Sequence, residues 1–201
     1  MKESTGHDWY HFERVWKMAK FLQKKEGGDL FVIELAALLH DLDDWKFSNS
    51  SDSKEKARKL LEENGVGEEV TQQVVQIIKQ VSFKGEGEND EVGSIETAIV
   101  QDADRLDVIG AIGIGRAFSF GGKINRPMYD PKIKPVKNKT FVEYKKLHDT
   151  SINHFYEKLL VLKNRLKTKT AKKIAESRHK FVEDFLKQFL KEWDLKDLDE
   201  I

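Results

Sequence analysis

The stretch His40-Asp41-Leu42-Asp43-Asp44 places one imidazole and three carboxylates at the end of the most apolar run in the chain, DLFVIELAALL, in which Glu34 is the only charge after Asp29. Such a run belongs in the centre of a fold. Burying ionisable groups there is costly unless a partner charge or a metal compensates. Imidazole and carboxylate together are an N/O ligand set for a divalent cation. His40 and Asp41 are adjacent, so on a helix they point about 100° apart. Both reach one ion only near the helix end, with other helices closing the sphere. Two further stretches offer donors: HDWYHFERVW carries His7 and His11, and IVQDADRLDVIG carries Asp102, Asp104 and Asp107. His11 falls on the inward side of its helix with Val15 and near Phe12, whereas His7 precedes the helix. Asp104 interrupts an apolar helix beside Ala103 and Leu106, with Asp102 and Asp107 as rivals for the same role.

The elements that must position these groups read as helices. Trp9, Phe12, Val15, Trp16, Ala19 and Leu22 recur at three-to-four spacing until EGG stops the pattern. Asp29 is placed to cap the apolar helix that follows. Ser51 or Ser53 caps KEKARKLLEENG, which ends at Gly65. Val70, Val74, Ile77, Ile78 and Val81 form one apolar face, broken by FKGEGEND. Ser94 caps a helix carrying Ile95, Ala98, Ile99, Ala103 and Leu106, with Thr97 failing to complete a capping box. GAIGIGRAFSFGG is expected to continue that helix loosely, its glycines permitting close packing. The three prolines, Pro127, Pro131 and Pro135, lie in a loop over 123–140. Two long amphipathic helices follow, TFVEYKKLHDTSINHFYEKLLVLKNRL and TKTAKKIAESRHKFVEDFLKQFLKEW. The second has Ile174, Phe181, Phe185, Phe189 and Trp193 on or near one face. No two runs alternate as strands do, and there is no internal repeat. The expectation is one all-α domain over 1–201.

Thirty-five basic residues balance thirty-five acidic ones in 201 residues. A chain living on nucleic acid backbones is usually more basic, so a nucleic acid polymer is disfavoured as partner. Cysteine is absent, which removes disulfides and thiolate ligands and fits a reducing compartment. MKESTGHDWY contains no apolar signal region and no run approaches membrane-spanning length. A cytoplasmic protein without membrane association is expected.

The ordered set His11, then the doublet His40-Asp41, then Asp104, each on an expected helix, resembles the metal-dependent phosphohydrolases of the HD superfamily. The likeness extends over HFERVWKMA, ELAALLHDLDDWKF, SFKGEG, QDADRLDVIGAIGIGRAF, YDP and HFYEKLL. It is similar to the small stand-alone HD hydrolases, some of which are nucleotide pyrophosphohydrolases. The doublet His7-Asp8 falls outside the set. The resemblance implies an HD-domain helical bundle with a central metal site, in which His11, His40, Asp41 and Asp104 ligate one divalent ion. Two neutral imidazoles and two carboxylates would neutralise that ion. The donor set suits Mn²⁺, Fe²⁺, Co²⁺, Ni²⁺ or Mg²⁺, with Mn²⁺ the first choice.

Asp44 follows His40 by one helical turn. It resembles the acidic residue with which some nucleotide-hydrolysing HD enzymes orient or deprotonate water. A polyphosphate also needs cations, and Lys84, Arg105, Arg116 and Lys46 are the candidates, with Arg14 weaker. The expected function is hydrolysis of phosphoanhydride or phosphoester bonds in a nucleotide, narrowed to triphosphate giving monophosphate and pyrophosphate. The rivals are a 5′-nucleotidase, a cyclic-nucleotide phosphodiesterase, an alarmone hydrolase, and a non-catalytic metal- and nucleotide-binding sensor. The loop over 123–140 is a candidate lid or homodimer contact. His148, His154 and His179 read as surface or packing residues, and Trp9, Trp16, Trp45 and Trp193 as core.

Overall fold

Side-chain caps start most of the helices. In the computed structural model, which describes residues 8–42, 53–81, 92–136 and 150–198, Asp8 accepts a hydrogen bond from the His11 amide and opens α1, Trp9–Glu26. Asp29 accepts from the amides of Phe31 and Val32 and opens α2, Leu30–Leu39. Ser94 caps α5, Ile95–Val108, through the Thr97 amide. Each cap satisfies helix-start N–H groups that otherwise lack a partner. Between them lie α3, Ser53–Glu63, and α4, Glu68–Val81. Asp8 therefore has a structural task of its own, which accounts for the second His-Asp doublet. His7 lies outside the described residues, as do Ser51 and His148.

The first half of the core is built by α1, α2, α4 and α5, with α1 packed on both α2 and α5. Val15, Ala19 and Leu22 of α1 meet Val32, Ile33 and Ala36 of α2, Val74 and Ile77 of α4, and Ile99, Ala103 and Leu106 of α5. Each large aliphatic residue buried there contributes about 1.5–3 kcal/mol. Ala19, Ala36, Ala37 and Ala103 are fully buried. Their small side chains let the helix axes approach closely, which is what allows polar groups on three helices to converge.

GAIGIGRAFSFGG does not continue α5. Ile109 is extended (φ −113°, ψ 159°) and Gly110 takes φ +80°, so a new helix, α6, runs from Gly110 to Lys123. In one unbroken helix Asp107 and Arg116 would stand about 13.5 Å apart along the axis. The break folds α6 back so that Arg116 Nη1 reaches Asp107 Oδ2 at 2.6 Å. Gly113 makes the fold-back feasible, since a Cβ there would stand 1.9 Å from the Val108 carbonyl oxygen.

The expected helix from Thr140 to Leu166 is interrupted as well. Thr150 is extended and caps a fresh start at Ser151–His154, followed by a π-helical turn, Phe155–Leu159, then Leu160–Leu162 and a 3₁₀ turn, Lys163–Arg165. We treat this stretch as α7. Its first residues hold the proline segment. Ser151 and Ile152 amides donate to the Pro127 and Met128 carbonyls, Asn153 Nδ2 donates to the Ile133 carbonyl, and Glu157 accepts from the Val136 amide. Residues 137–149 lie outside the described residues.

The last helix, α8, spans Lys169–Trp193 and is capped by Thr168. Its buried residues are Ala171, Ala175, Val182 and Leu186, with Phe185 and Phe189 half-buried beside them. Phe181, expected on the inner face, is 53% exposed, because the inward stripe passes through Val182 one position on. Phe155 stacks on Phe185 with centroids 5.7 Å apart. Val108 touches both apolar clusters and joins them. The described residues form one all-α domain without a strand, and no helix among them is long and apolar enough to cross a membrane.

Replacing Gly113 by alanine is expected to destabilise the protein by roughly 1–3 kcal/mol or more through overpacking at the α5–α6 break. Urea denaturation of Gly113→Ala beside the parent measures it, and an unchanged midpoint contradicts the close-approach argument.

Candidate metal centre

Three helices deliver the donors. His11 lies in the first turn of α1, His40 and Asp41 follow the C-terminal end of α2, and Asp104 sits on α5, which packs on α1. His11, His40 and Asp104 each bring one donor atom within 4.8 Å of the others. His11 Nε2 lies 3.6 Å from Asp41 Oδ2 and 3.7 Å from Asp104 Oδ1. His40 Nε2 lies 3.7 Å from both of those oxygens. These distances exceed a hydrogen bond. They match donors that share one ion, each about 2 Å from it.

Both rings are aimed by their other nitrogen. His40 Nδ1 is 2.8 Å from the Ala37 carbonyl. A carbonyl only accepts, so Nδ1 carries a proton and, whenever the ring is neutral, Nε2 presents the lone pair. His11 Nδ1 is 2.8 Å from Asp107 Oδ2, which imposes the same tautomer. His40 Nε2 is buried with no hydrogen-bond partner among the described residues. A buried imidazole nitrogen without one is expensive, and a cation at the centre of the cluster would satisfy it. The donor chemistry and this orphaned atom together fit a divalent metal. The histidine side chains are 0% and 1% exposed, whereas those of Asp41 and Asp104 are 17% and 22% exposed. Solvent therefore reaches the cluster from the carboxylate side.

The charges are strongly coupled. Burial alone would lower the His40 pKa, but the Asp41 and Asp104 carboxylates outweigh it and lift His40 to about 9. Burial works to raise Asp104, and its contact with His40 overrides that and holds it below the usual carboxylate range. Asp107 is likewise opposed by burial, yet hydrogen bonds from His11 and Arg14 and the charge of Arg116 bring it down to about 2.

Neighbouring residues sort by their contacts. Asp102 turns away from the cluster and accepts from the Lys167 and Thr168 amides at 2.9 and 2.7 Å, fastening the start of α8. Burial raises its pKa. Arg105, expected at phosphate, is 2% exposed and donates to the Arg165 carbonyl at 2.7 Å. Its described contacts tie α5 to the α7–α8 connection and do not bring it to the donor cluster. Arg116 and Arg14 both bind Asp107, at 2.6 Å for each nearest pair. Asp43, Asp44, Trp45, Lys46 and Lys84 lie outside the described residues. Trp9, read as core, is 56% exposed in the first turn of α1, and His179 pairs with Glu183 at the surface. The link from Asp107 to His11 was missed in the sequence. Its one available signal is spacing, since Asp104 and Asp107 share a helix face, as do His11 and Arg14.

The HD domain family model matches residues 8–109. YpgQ of Bacillus subtilis is 40% identical over 192 residues, covering 94% of this chain and 86% of YpgQ. A crystal structure of YpgQ in complex with ADP superposes with a TM-score of 0.76 at 37% identity, covering 94% of this chain and 91% of that one. A Lactobacillus plantarum crystal structure gives a TM-score of 0.89 at 36% identity, covering 97% and 91%. An HD-superfamily hydrolase from Bacillus thuringiensis gives 0.72 at 47% identity, covering 96% and 89%. The chain belongs to the HD domain family and is an HD-superfamily hydrolase, of the metal-dependent phosphohydrolase class. Divalent-metal binding comes with that family.

Metal uptake must displace the His40 proton at any pH below about 9. The apparent dissociation constant for Mn²⁺ is therefore expected to fall about tenfold per pH unit on going from about pH 6 to about pH 8, with one proton released per ion. Calorimetry in buffers of different ionisation enthalpy counts that proton. In the metal-free protein the raised His40 pKa contributes stability that is fully present below about 6.5 and lost as pH rises through about 9. Thermal melts across this range should show the loss without metal and not with it.

Proposed function

We propose that this protein hydrolyses nucleotides using one divalent ion held by His11, His40, Asp41 and Asp104, cleaving a nucleoside triphosphate to monophosphate and pyrophosphate. The observation that carries the reading is the convergence of His11 and His40 Nε2 with Asp41 Oδ2 and Asp104 Oδ1 at 3.6–3.7 Å. That a nucleotide is the substrate is supported by the relative YpgQ, which has been crystallised with ADP. The narrowing to pyrophosphate release rests on the resemblance to small stand-alone HD hydrolases. An N/O donor set without sulfur accommodates several first-row ions and Mg²⁺, and Mn²⁺ is the ion we favour.

When bound, such an ion supplies Lewis acidity, lowering the pKa of a water and polarising a phosphoryl oxygen. The protein's own residues do the remainder. The Ala37 carbonyl and Asp107 hold the two imidazoles in the tautomer that offers Nε2. Asp41 and Asp104 cancel the ion's charge. Asp44, four residues beyond His40 in the sequence, is the group assigned to orient or deprotonate the attacking water. Among the cations, Arg116 and Arg14 are the ones held beside the cluster. Their remaining N–H groups carry no hydrogen bond among the described residues and suit phosphate oxygens. Among the described residues, the three carboxylates Asp41, Asp104 and Asp107 set against two guanidiniums leave one negative charge. A divalent ion converts it to one positive charge, which favours a polyphosphate over a neutral ligand. Lys46 and Lys84 stay as further phosphate contacts in this proposal.

Metal-stripped protein reloaded separately with Mn²⁺, Mg²⁺, Co²⁺ or Ni²⁺ and offered nucleoside tri-, di-, mono- and cyclic phosphates tests the reading by phosphorus NMR. Monophosphate plus pyrophosphate from a triphosphate is the expected result. Inorganic phosphate from monophosphates points to a nucleotidase, and tight binding without turnover to a sensor. Asp41→Ala should lose metal retention and turnover together. Asp44→Asn should keep the metal and slow turnover by about 10²–10⁴-fold. A full rate in the Asp44 variant removes that residue from the mechanism.

A further inference from the structure

We propose that Asp107 is a positioning residue for the site, fixing which nitrogen of His11 faces the donor cluster while holding the Arg14 and Arg116 guanidiniums at its rim. The inference rests on the metal reading above and extends it to a residue outside the ligand set.

Asp107 stands one turn after Asp104 on α5, with a side chain only 7% exposed. Two other elements converge on it. From α1, His11 Nδ1 reaches Oδ2 at 2.8 Å, Arg14 Nε reaches Oδ1 at 2.6 Å and Arg14 Nη2 reaches Oδ2 at 3.0 Å. From α6, Arg116 Nη1 reaches Oδ2 at 2.6 Å. A carboxylate offers about two acceptor sites on each oxygen; Oδ2 takes three of these N–H groups and Oδ1 takes one. The oxygen nearest the site, Oδ2, is therefore saturated by N–H donors, which separates Asp107 from Asp104 although both share a helix face.

The same contacts define what Asp107 does. A carboxylate accepts only, so the His11 proton is confined to Nδ1 and Nε2 is turned toward Asp41 and Asp104, with the ring gaining basicity as a ligand. Arg14 is gripped by both carboxylate oxygens, which fixes its plane. Arg116 is reached only because of the chain break at Ile109 and Gly110. One buried anion thus sets a cluster-facing imidazole and the two guanidiniums proposed for phosphate relative to each other. A simple staple between helices would need neither the imidazole nor the second guanidinium.

The test compares metal-stripped wild-type protein, Asp107→Asn and the double variant Asp107→Asn/Arg116→Gln. Mn²⁺ affinity is measured by the electron-spin signal of unbound Mn²⁺, and coordination by the visible absorption of the Co²⁺-loaded protein. Asp107→Asn should weaken Mn²⁺ binding by about 10–100-fold and alter the Co²⁺ band. The double variant relieves the surplus positive charge and should not restore affinity. Recovery in the double variant would mean that charge alone mattered, overturning the orienting role. Wild-type affinity and an unchanged Co²⁺ band in folded Asp107→Asn, even with a lower melting temperature, would reduce Asp107 to a staple. Wild-type protein that takes up no Mn²⁺ overturns the metal reading itself and this inference with it. One measurement needs no substitution. Nitrogen-15 NMR of labelled histidine in metal-free wild-type protein at alkaline pH should show His11 protonated on Nδ1, and protonation on Nε2 refutes the proposal.

Discussion

Each of two buried imidazoles stands less than 4 Å from both of two carboxylates at the junction of α1, α2 and α5, and much of the surrounding structure is arranged to make that tolerable. Two carboxylates gathered around the same imidazoles repel each other in a poorly hydrated interior. They persist because positive charge is shared among them, by a proton on His40 in the metal-free protein or by the divalent ion that the family binds. The interior therefore carries a polar centre that is stable only when a cation occupies it, which links folding stability to cation uptake.

Packing supplies the geometry. Alanines at the crossings of α1, α2 and α5 keep the helix axes near one another, and large aliphatic residues on the same helices seal the far side. The histidines are wholly buried while the carboxylates open to solvent, so the centre is approached from one direction. Around it lies a ring of charge with divided tasks. Asp107 gathers His11, Arg14 and Arg116. Asp102 and Arg105, close by on the same helix, bond the backbone of the α7–α8 connection. Neighbouring acids on one helix thus serve different ends because successive residues leave the axis about 100° apart.

The second half of the domain gives this centre its support. The α5–α6 break returns Arg116 to Asp107, and α7 fastens the segment through Pro127 and Met128 by backbone hydrogen bonds. A sheaf of aromatic rings, Phe118, Phe155, Phe185 and Phe189, fills the space beneath α6 and α8. Glu26 at the end of α1 accepts from the Thr170 amide at the start of α8, closing the last helix onto the first.

Local interactions were the legible part. Asp29, Ser94 and the apolar faces of α1 and α4 announce themselves in sequence because capping and burial act over three or four residues. The His11, His40-Asp41, Asp104 set was legible as donor types on separate helices. Helix ends set by distant contacts were not. The chain turns at Ile109 because Gly113 must lie against Val108 and Arg116 must reach Asp107, and a periodic apolar pattern runs straight through that point. Ile174, Phe185 and Phe189 of the expected stripe on α8 pack inward, but Phe181 does not, because large apolar residues occur on both faces of the helix and only its neighbours select one. Arg105 looked like a phosphate ligand from its place beside Asp104, but its partner is a carbonyl sixty residues away. The sequence alone determined the helical class, the caps and the kinds of donor available, since each follows from residue type and short-range spacing. Only the tertiary structure decided which carboxylate faces the imidazoles, which orients them and which anchors a helix, because those roles depend on partners that the folding of distant segments brings within hydrogen-bonding reach.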